Sequence, residues 1–163
     1  MKKYTFVFLL FFVLLVTVGC TANEQSAEIN LPGVDVPSNR INTMLELTDD
    51  PAAMNSLKNS DILSLRLVNI SDATITFPGD YGVMLFVWNG TDWTDKVENI
   101  SFATNTPQSL LPKKQYPTGD LVSVIPTIDE SLLPATLRVV VVGHVQDNES
   151  EKVAAYVDVQ IIP

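Results

Sequence analysis

Few side chains in this 163-residue chain can do covalent or acid–base chemistry. Cys20 is the only cysteine and His144 the only histidine. Cys20 closes the stretch "LLVTVGC" at residues 14–20, directly after an apolar run. His144 follows Gly143 near the end of the apolar stretch "LRVVVVGHV". A hydrolytic triad or a zinc site would have to use His144, and zinc wants three or four His, Cys or carboxylate ligands. With one His and one Cys, a transition-metal site lacks its ligands. No metal, cofactor or catalytic residue is therefore expected, and His144 reads as a strand-end residue. Asp49–Asp50, Asp80 and "DNESE" at 147–151 are acidic loops. Calcium needs several converging oxygens, and otherwise such residues are solvated loop charge. "WNGTDW" at 88–93 carries the strongest short-range hairpin signal, Asn89-Gly90. A two-residue turn there sets Trp88 opposite Thr91 and Phe86 opposite Trp93. The three aromatic rings then share one face, as a platform for a sugar or peptide or as cross-strand packing.

The elements that must hold these residues begin with an uneven charge distribution. Ten Lys and Arg stand against nineteen Asp and Glu, a net charge of −9. Lys2 and Lys3 precede Cys20 and every acid follows it. From Cys20 onward, eight bases against nineteen acids leave −11. That balance argues against nucleic acid or an anionic membrane surface, which attract basic patches. Met1-Lys2-Lys3 is a positive start, and "FVFLLFFVLLV" at 6–16 is an unbroken apolar run. A bilayer-spanning helix takes roughly 20 apolar residues, so this shorter run reads as the apolar core of a cleaved signal peptide.

The "TVGC" at 17–20 resembles the lipobox of bacterial lipoproteins. The resemblance implies cleavage before Cys20, a diacylglycerol thioether on its sulfur, and a partner in membrane lipid. Residues 1–19 are then the signal peptide. A sulfur consumed in this way cannot pair, so the mature chain is expected to hold no disulfide. Residues 20–39, "CTANEQSAEINLPGVDVPSN", show no sustained periodicity, and they read as the lipidated cysteine and a flexible tether.

Residues 40–163 form the remaining domain, and its pattern is β throughout. "DILSLRLVN" at 61–69 alternates Leu63, Leu65 and Leu67 against Ser64 and Arg66. "VAAYVDVQI" at 153–161 alternates likewise, with Tyr156, Asp158 and Gln160 on the outer face. "LRVVVVGHV" at 137–145 is nearly continuous in apolar residues, as a central strand covered on both faces would be. Strands are expected at 41–47, 62–69, 73–77, 83–88, 91–98, 119–125, 136–145 and 153–161. The best helical stretch, 49–57, gives two turns at most. Seven or eight short strands between turn signals indicate an antiparallel β-sandwich. "LRLVNISDATITFPGDYGVMLFVWNGTDW" resembles the bacterial Ig-like domains of secreted lipoproteins, on Asn69, Ser71, Asp72, Gly90 and Trp93. That likeness implies an Ig-like sandwich and carries no catalytic residue. The Asn-x-Ser/Thr triplets at Asn69, Asn89, Asn99 and Asn148 read as turn chemistry.

Strand parity then places the loops. If every strand crosses the domain, connections 48–61, 78–82, 99–118 and 146–152 lie at the pole far from the tether. Connections 70–72, 89–90 and 126–135 lie at the near pole. Function concentrates in loops on a rigid scaffold, so Asp80 and Tyr81 of "PGDYG" are the binding candidates. The expected protein is a lipid-anchored, extracytoplasmic lipoprotein of the cell envelope. It carries a non-enzymatic Ig-like binding or structural domain that meets an envelope protein or an extracellular ligand. A loop-presenting protease inhibitor is the alternative, and a hydrolase using His144 or an acidic pair a more distant one.

Overall fold

The computed structural model describes residues 32–49, 57–95, 97–100 and 106–163. The signal peptide, Cys20, most of the tether and all but the ends of the helical stretch at 49–57 lie outside the described residues. Eleven strands are described: β1 Leu45–Asp49, β2 Leu63–Asn69, β3 Ile75–Phe77, β4 Met84–Trp88, β5 Trp93–Thr94, β6 Val97–Asn99, β7 Gln108–Leu110, β8 Asp120–Val124, β9 Pro126–Ile128, β10 Ala135–Val145 and β11 Asn148–Ile161. Helical structure among the described residues is limited to two 3₁₀ turns. The protein is an all-β sandwich of antiparallel sheets, as its alternating patterns require.

One sheet is β1-β2-β8. The other is centred on β10, which pairs with β11 along its whole length and with β4 and β3 on its other edge. β5 and β7 extend that sheet beyond β4 and β3, and β6 pairs with β9 separately. Leu45, Leu47, Leu63, Leu65, Leu67, Val122 and Val124 from the first sheet meet Ile75, Phe77, Val87, Leu137, Val139, Val141 and Ile161 from the second. Ser64 and Arg66 lie exposed on the outer face of β2, so its alternation reads through directly.

β10 is covered on both faces, as its valine run predicts. Leu137, Val139 and Val141 face the sandwich interior. Val140 faces outward with Phe86, Ala154 and Ile41, and the covering is supplied by Val34 and Val36. The last part of the segment read as tether is therefore a strap lying on the sheet. Asp35 pairs with Lys152 at 3.2 Å, Arg40 pairs with Glu151, and the Asn42 amide donates to the Ala154 carbonyl.

The parity argument fails beyond β3, for a geometric reason. β10 pairs with β4 at residues 137–140 and with β3 at 144–145. β3 and β4 thus lie end to end and together cross the domain once. The later connections 89–92, 111–118, 129–134 and the β10–β11 turn change pole, whereas Asn99 and Ile100 stay at the far pole beside Pro126 and Ile125. The turn between β10 and β11 and the loop 111–118 are at the near pole with Asn69 and Leu45. The β4–β5 connection and residues 129–134 are at the far pole. The connection 78–82, expected at the far pole, sits midway along the sheet. Strand count rises for related reasons. The stretch 91–98 becomes β5 and β6, 119–125 becomes β8, β9 lies inside the expected connection 126–135, and the three-residue β7 lies inside the expected connection 99–118.

Candidate functional site

Asp80 and Tyr81 occupy the end-to-end junction of β3 and β4. Tyr81 and Gly82 have φ of +58° and +59°, which turns the chain back onto β10. The Val142 amide donates to the Tyr81 carbonyl at 3.2 Å, filling the gap between β3 and β4. A Cβ on Gly82 would collide with the Val142 carbonyl, so glycine is required by close approach as well as by φ. The half-buried Tyr81 ring packs on Phe77 with centroids 5.6 Å apart. Its hydroxyl donates to Asp120 Oδ2 at 3.0 Å, linking this connection to β8 of the opposite sheet. Burial, and then the hydrogen bond to the Asp120 carboxylate, push the Tyr81 phenol well above its usual pKa. Asp80 is exposed, and its Oδ1 accepts from the Gly82 amide at 3.0 Å. Both side chains are engaged in building the turn.

The aromatic residues do share one face, with a different register. Trp88 pairs with Trp93 and Val87 with Thr94, so the loop is 89–92. Asn89 Oδ1 accepts from the amides of Thr91 and Asp92, each at 2.9 Å, and this side-chain turn displaces the two-residue turn expected from Asn-Gly. The Trp88 and Trp93 rings meet edge-on at 5.4 Å and 61°. Arg138, across β4 in register with Phe86, places its guanidinium 4.1 Å from the Trp93 centroid and 4.2 Å from that of Tyr156. Asp158 receives it in a bidentate pair at 2.6 and 2.7 Å. The stacked cation covers one face of Trp93 and one of Tyr156, and Trp88 is 39% exposed. Arg138 and Asp158 were missed in the sequence. The signal was there: a lone arginine in the valine strand, opposite the polar face Tyr156-Asp158-Gln160.

A second polar constellation is buried. Asn69 is fully buried. Its amide donates to the Ala73 carbonyl at 2.7 Å and to that of Leu110 at 3.0 Å. Its Oδ1 accepts from the amide and hydroxyl of Ser71 at 3.0 and 2.7 Å. The Asn-x-Ser motif is thus a clamp that closes the β2–β3 turn onto β7.

Among the hollows formed by the described residues, one lies at each pole. One, about 410 Å³, lies at the near pole beside Asn42, Glu46, Ile70 and Tyr156. The other, about 580 Å³, lies at the far pole, with Asp95, Glu98 and Asp129 around Val97, Ile128 and Leu132. Asp129 Oδ1 accepts from the hydroxyl and the amide of Ser131, which hold its carboxyl below the usual range. Among the described residues, no three His, Cys, Asp or Glu converge to hold a metal ion. His144 lies half-buried on β10 between Thr76 and Lys152. No described helix is long and apolar enough to cross a membrane. No protein-family model and no curated protein matches the chain.

Proposed function

We propose that this chain is a lipid-anchored protein of the cell envelope, held on the extracytoplasmic side by an acylated Cys20. Its Ig-like sandwich serves as a non-enzymatic binding or structural module for an envelope protein or an extracellular ligand. The observation that carries this reading is the position of the single cysteine. It follows Gly19 at the end of an apolar run too short to span a bilayer, behind Met1-Lys2-Lys3. The module reading is supported by where the polar side chains go. Tyr81, Asp80, Asn69, Arg138 and Asp158 each hold two elements together or close a turn. The decisive variant is Cys20→Ser. Wild-type protein should partition with membranes, and the variant should lose acylation and accumulate as unprocessed precursor. Wild-type protein found in the soluble fraction without an acyl mass would defeat the proposal.

A further inference from the structure

We infer that Asn89 is a site of spontaneous covalent modification, and that the folded loop promotes it: the Gly90 amide closes on the Asn89 carboxamide and expels ammonia, and water then opens the ring to aspartate or isoaspartate. The inference goes beyond the lipid-anchor reading and does not depend on it. Asn89-Gly90 is the single Asn-Gly pair in the chain, and glycine puts no side chain in the way of the attacking amide. Residues 88–92 are all exposed, so water reaches the loop. A Cβ on Gly90, whose φ is +97°, would meet nothing within 4 Å, so the loop stands clear of the rest of the fold.

The reaction balances with water as the only co-reactant. The Gly90 nitrogen bonds to Asn89 Cγ, the Cγ–Nδ2 bond breaks, and the Gly90 proton departs with Nδ2 as ammonia. Water adding at Cγ of the cyclic imide restores a normal backbone with an aspartate. Water adding at the main-chain carbonyl routes the chain through Cβ as isoaspartate. Three features of the loop favour ring closure. Asn89 Oδ1 accepts from the amides of Thr91 and Asp92, each at 2.9 Å. Negative charge develops on this oxygen in the tetrahedral intermediate, so the two donors form an oxyanion hole already in place. Among the described residues, none accepts a hydrogen bond from Asn89 Nδ2, the leaving group, or from the Gly90 amide, the nucleophile.

Asn59 precedes another small residue, Ser60, and shows the opposite arrangement. Its Nδ2 donates to the Ile128 carbonyl and its Oδ1 accepts from the Ile128 amide, both at 2.8 Å. The Ser60 amide donates to the Pro126 carbonyl at 3.0 Å. Leaving group and nucleophile are both held, and the carboxamide cannot turn toward the Ser60 nitrogen without breaking its bonds to β9. The product at position 89 would reach the neighbouring stack. The Asn89 amide donates to the Asp92 carbonyl at 3.1 Å, and Trp88 pairs with Trp93 directly beyond the loop. Isoaspartate lengthens that loop by a methylene, and either product adds a negative charge beside Asp92.

The test keeps the full chain at mildly alkaline pH, folded in buffer and unfolded in urea, and follows each asparagine by peptide mass. Fragmentation of the backbone separates aspartate from isoaspartate, and far-UV circular dichroism checks the folded sample. Asn89 should convert at least about threefold faster folded than unfolded, a small part of the ~10²-fold that one donor supplies in a water-excluded oxyanion hole. Asn59 should convert only in urea. Gly90→Ala should slow conversion at position 89 in both states, because its Cβ crowds the attacking nitrogen. Asn89 converting no faster in the folded chain than in urea would overturn the inference, since the turn would then protect the residue. So would Asn59 converting in the folded chain as fast as Asn89.

Discussion

Replacing Asn69 by leucine should be among the most costly single changes in the sandwich, although the two side chains are similar in size. Asn69 is fully buried and makes four hydrogen bonds, two through its amide and two through its oxygen. A net intramolecular hydrogen bond contributes about 1 kcal/mol, so the four together amount to about 4 kcal/mol. Two considerations adjust that figure. The Ser71 hydroxyl still donates to the Ala73 carbonyl at 3.1 Å, so that acceptor keeps a partner. The Leu110 carbonyl loses its side-chain partner in a buried setting, which adds about 1–3 kcal/mol of desolvation that leucine burial partly offsets. A net loss of about 3 kcal/mol follows. Urea unfolding of a 32–163 fragment would read this as a lower midpoint with an unchanged slope, and a thermal scan as a drop of roughly 10 °C. Ser71→Ala should lose about 1 kcal/mol, because it removes the hydroxyl and leaves the Asn69 amide in place. A leucine variant within 1 kcal/mol of the parent would show that the clamp does not hold the β2–β3 turn to β7.

Three further changes probe other parts of the fold. Val34→Ala with Val36→Ala should cost about 2 kcal/mol, roughly 1 for each half-buried side chain, and cutting at residue 41 should cost at least as much; an unaffected urea midpoint would show the strap to be idle. Tyr81→Phe should cost about 1–2 kcal/mol at neutral pH by removing the bond to Asp120. The raised phenol pKa also gives a pH signature: below about 10 both states are neutral, and above it the unfolded state ionises first, so parent stability falls with rising pH. Tyr81→Phe should flatten that alkaline decline, and parallel pH curves for parent and variant would refute the clasp. Arg138→Lys should fail to replace Arg138, losing about 1 kcal/mol and changing indole fluorescence, because an ammonium cannot lie flat between Trp93 and Tyr156 while pairing bidentately with Asp158.

What could be read from the sequence was what repeats along it. Leu63, Leu65 and Leu67 alternate with polar residues over enough length to identify both a strand and its buried face. The valine run at 139–142 announces cover on two sides. The identity of that cover was hidden, because Val34 and Val36 are two apolar residues flanked by proline and glycine, with no period to recognise. The end-to-end packing of β3 and β4 was hidden as well. It depends on β10 being long enough to receive both, and on Gly82 allowing the chain to close against Val142. β7 carries one buried apolar residue, Leu110, and its pairing with β3 is non-local. In the hairpin the dipeptide Asn89-Gly90 was recognised, but the Asn89 side chain competes with the backbone and lengthens the loop. Asn69 shows the same limit from the other side. Its motif was visible, and its burial depends on a carbonyl 41 residues away.

The central claim is the lipid anchor, and the mass of the N-terminal peptide tests it most directly. Protein extracted from the membrane fraction of its native host should begin at Cys20, with residues 1–19 absent and at least a diacylglycerol mass on the cysteine. A peptide beginning at Cys20 or elsewhere with an unmodified thiol, or one still carrying residues 1–19, would contradict it.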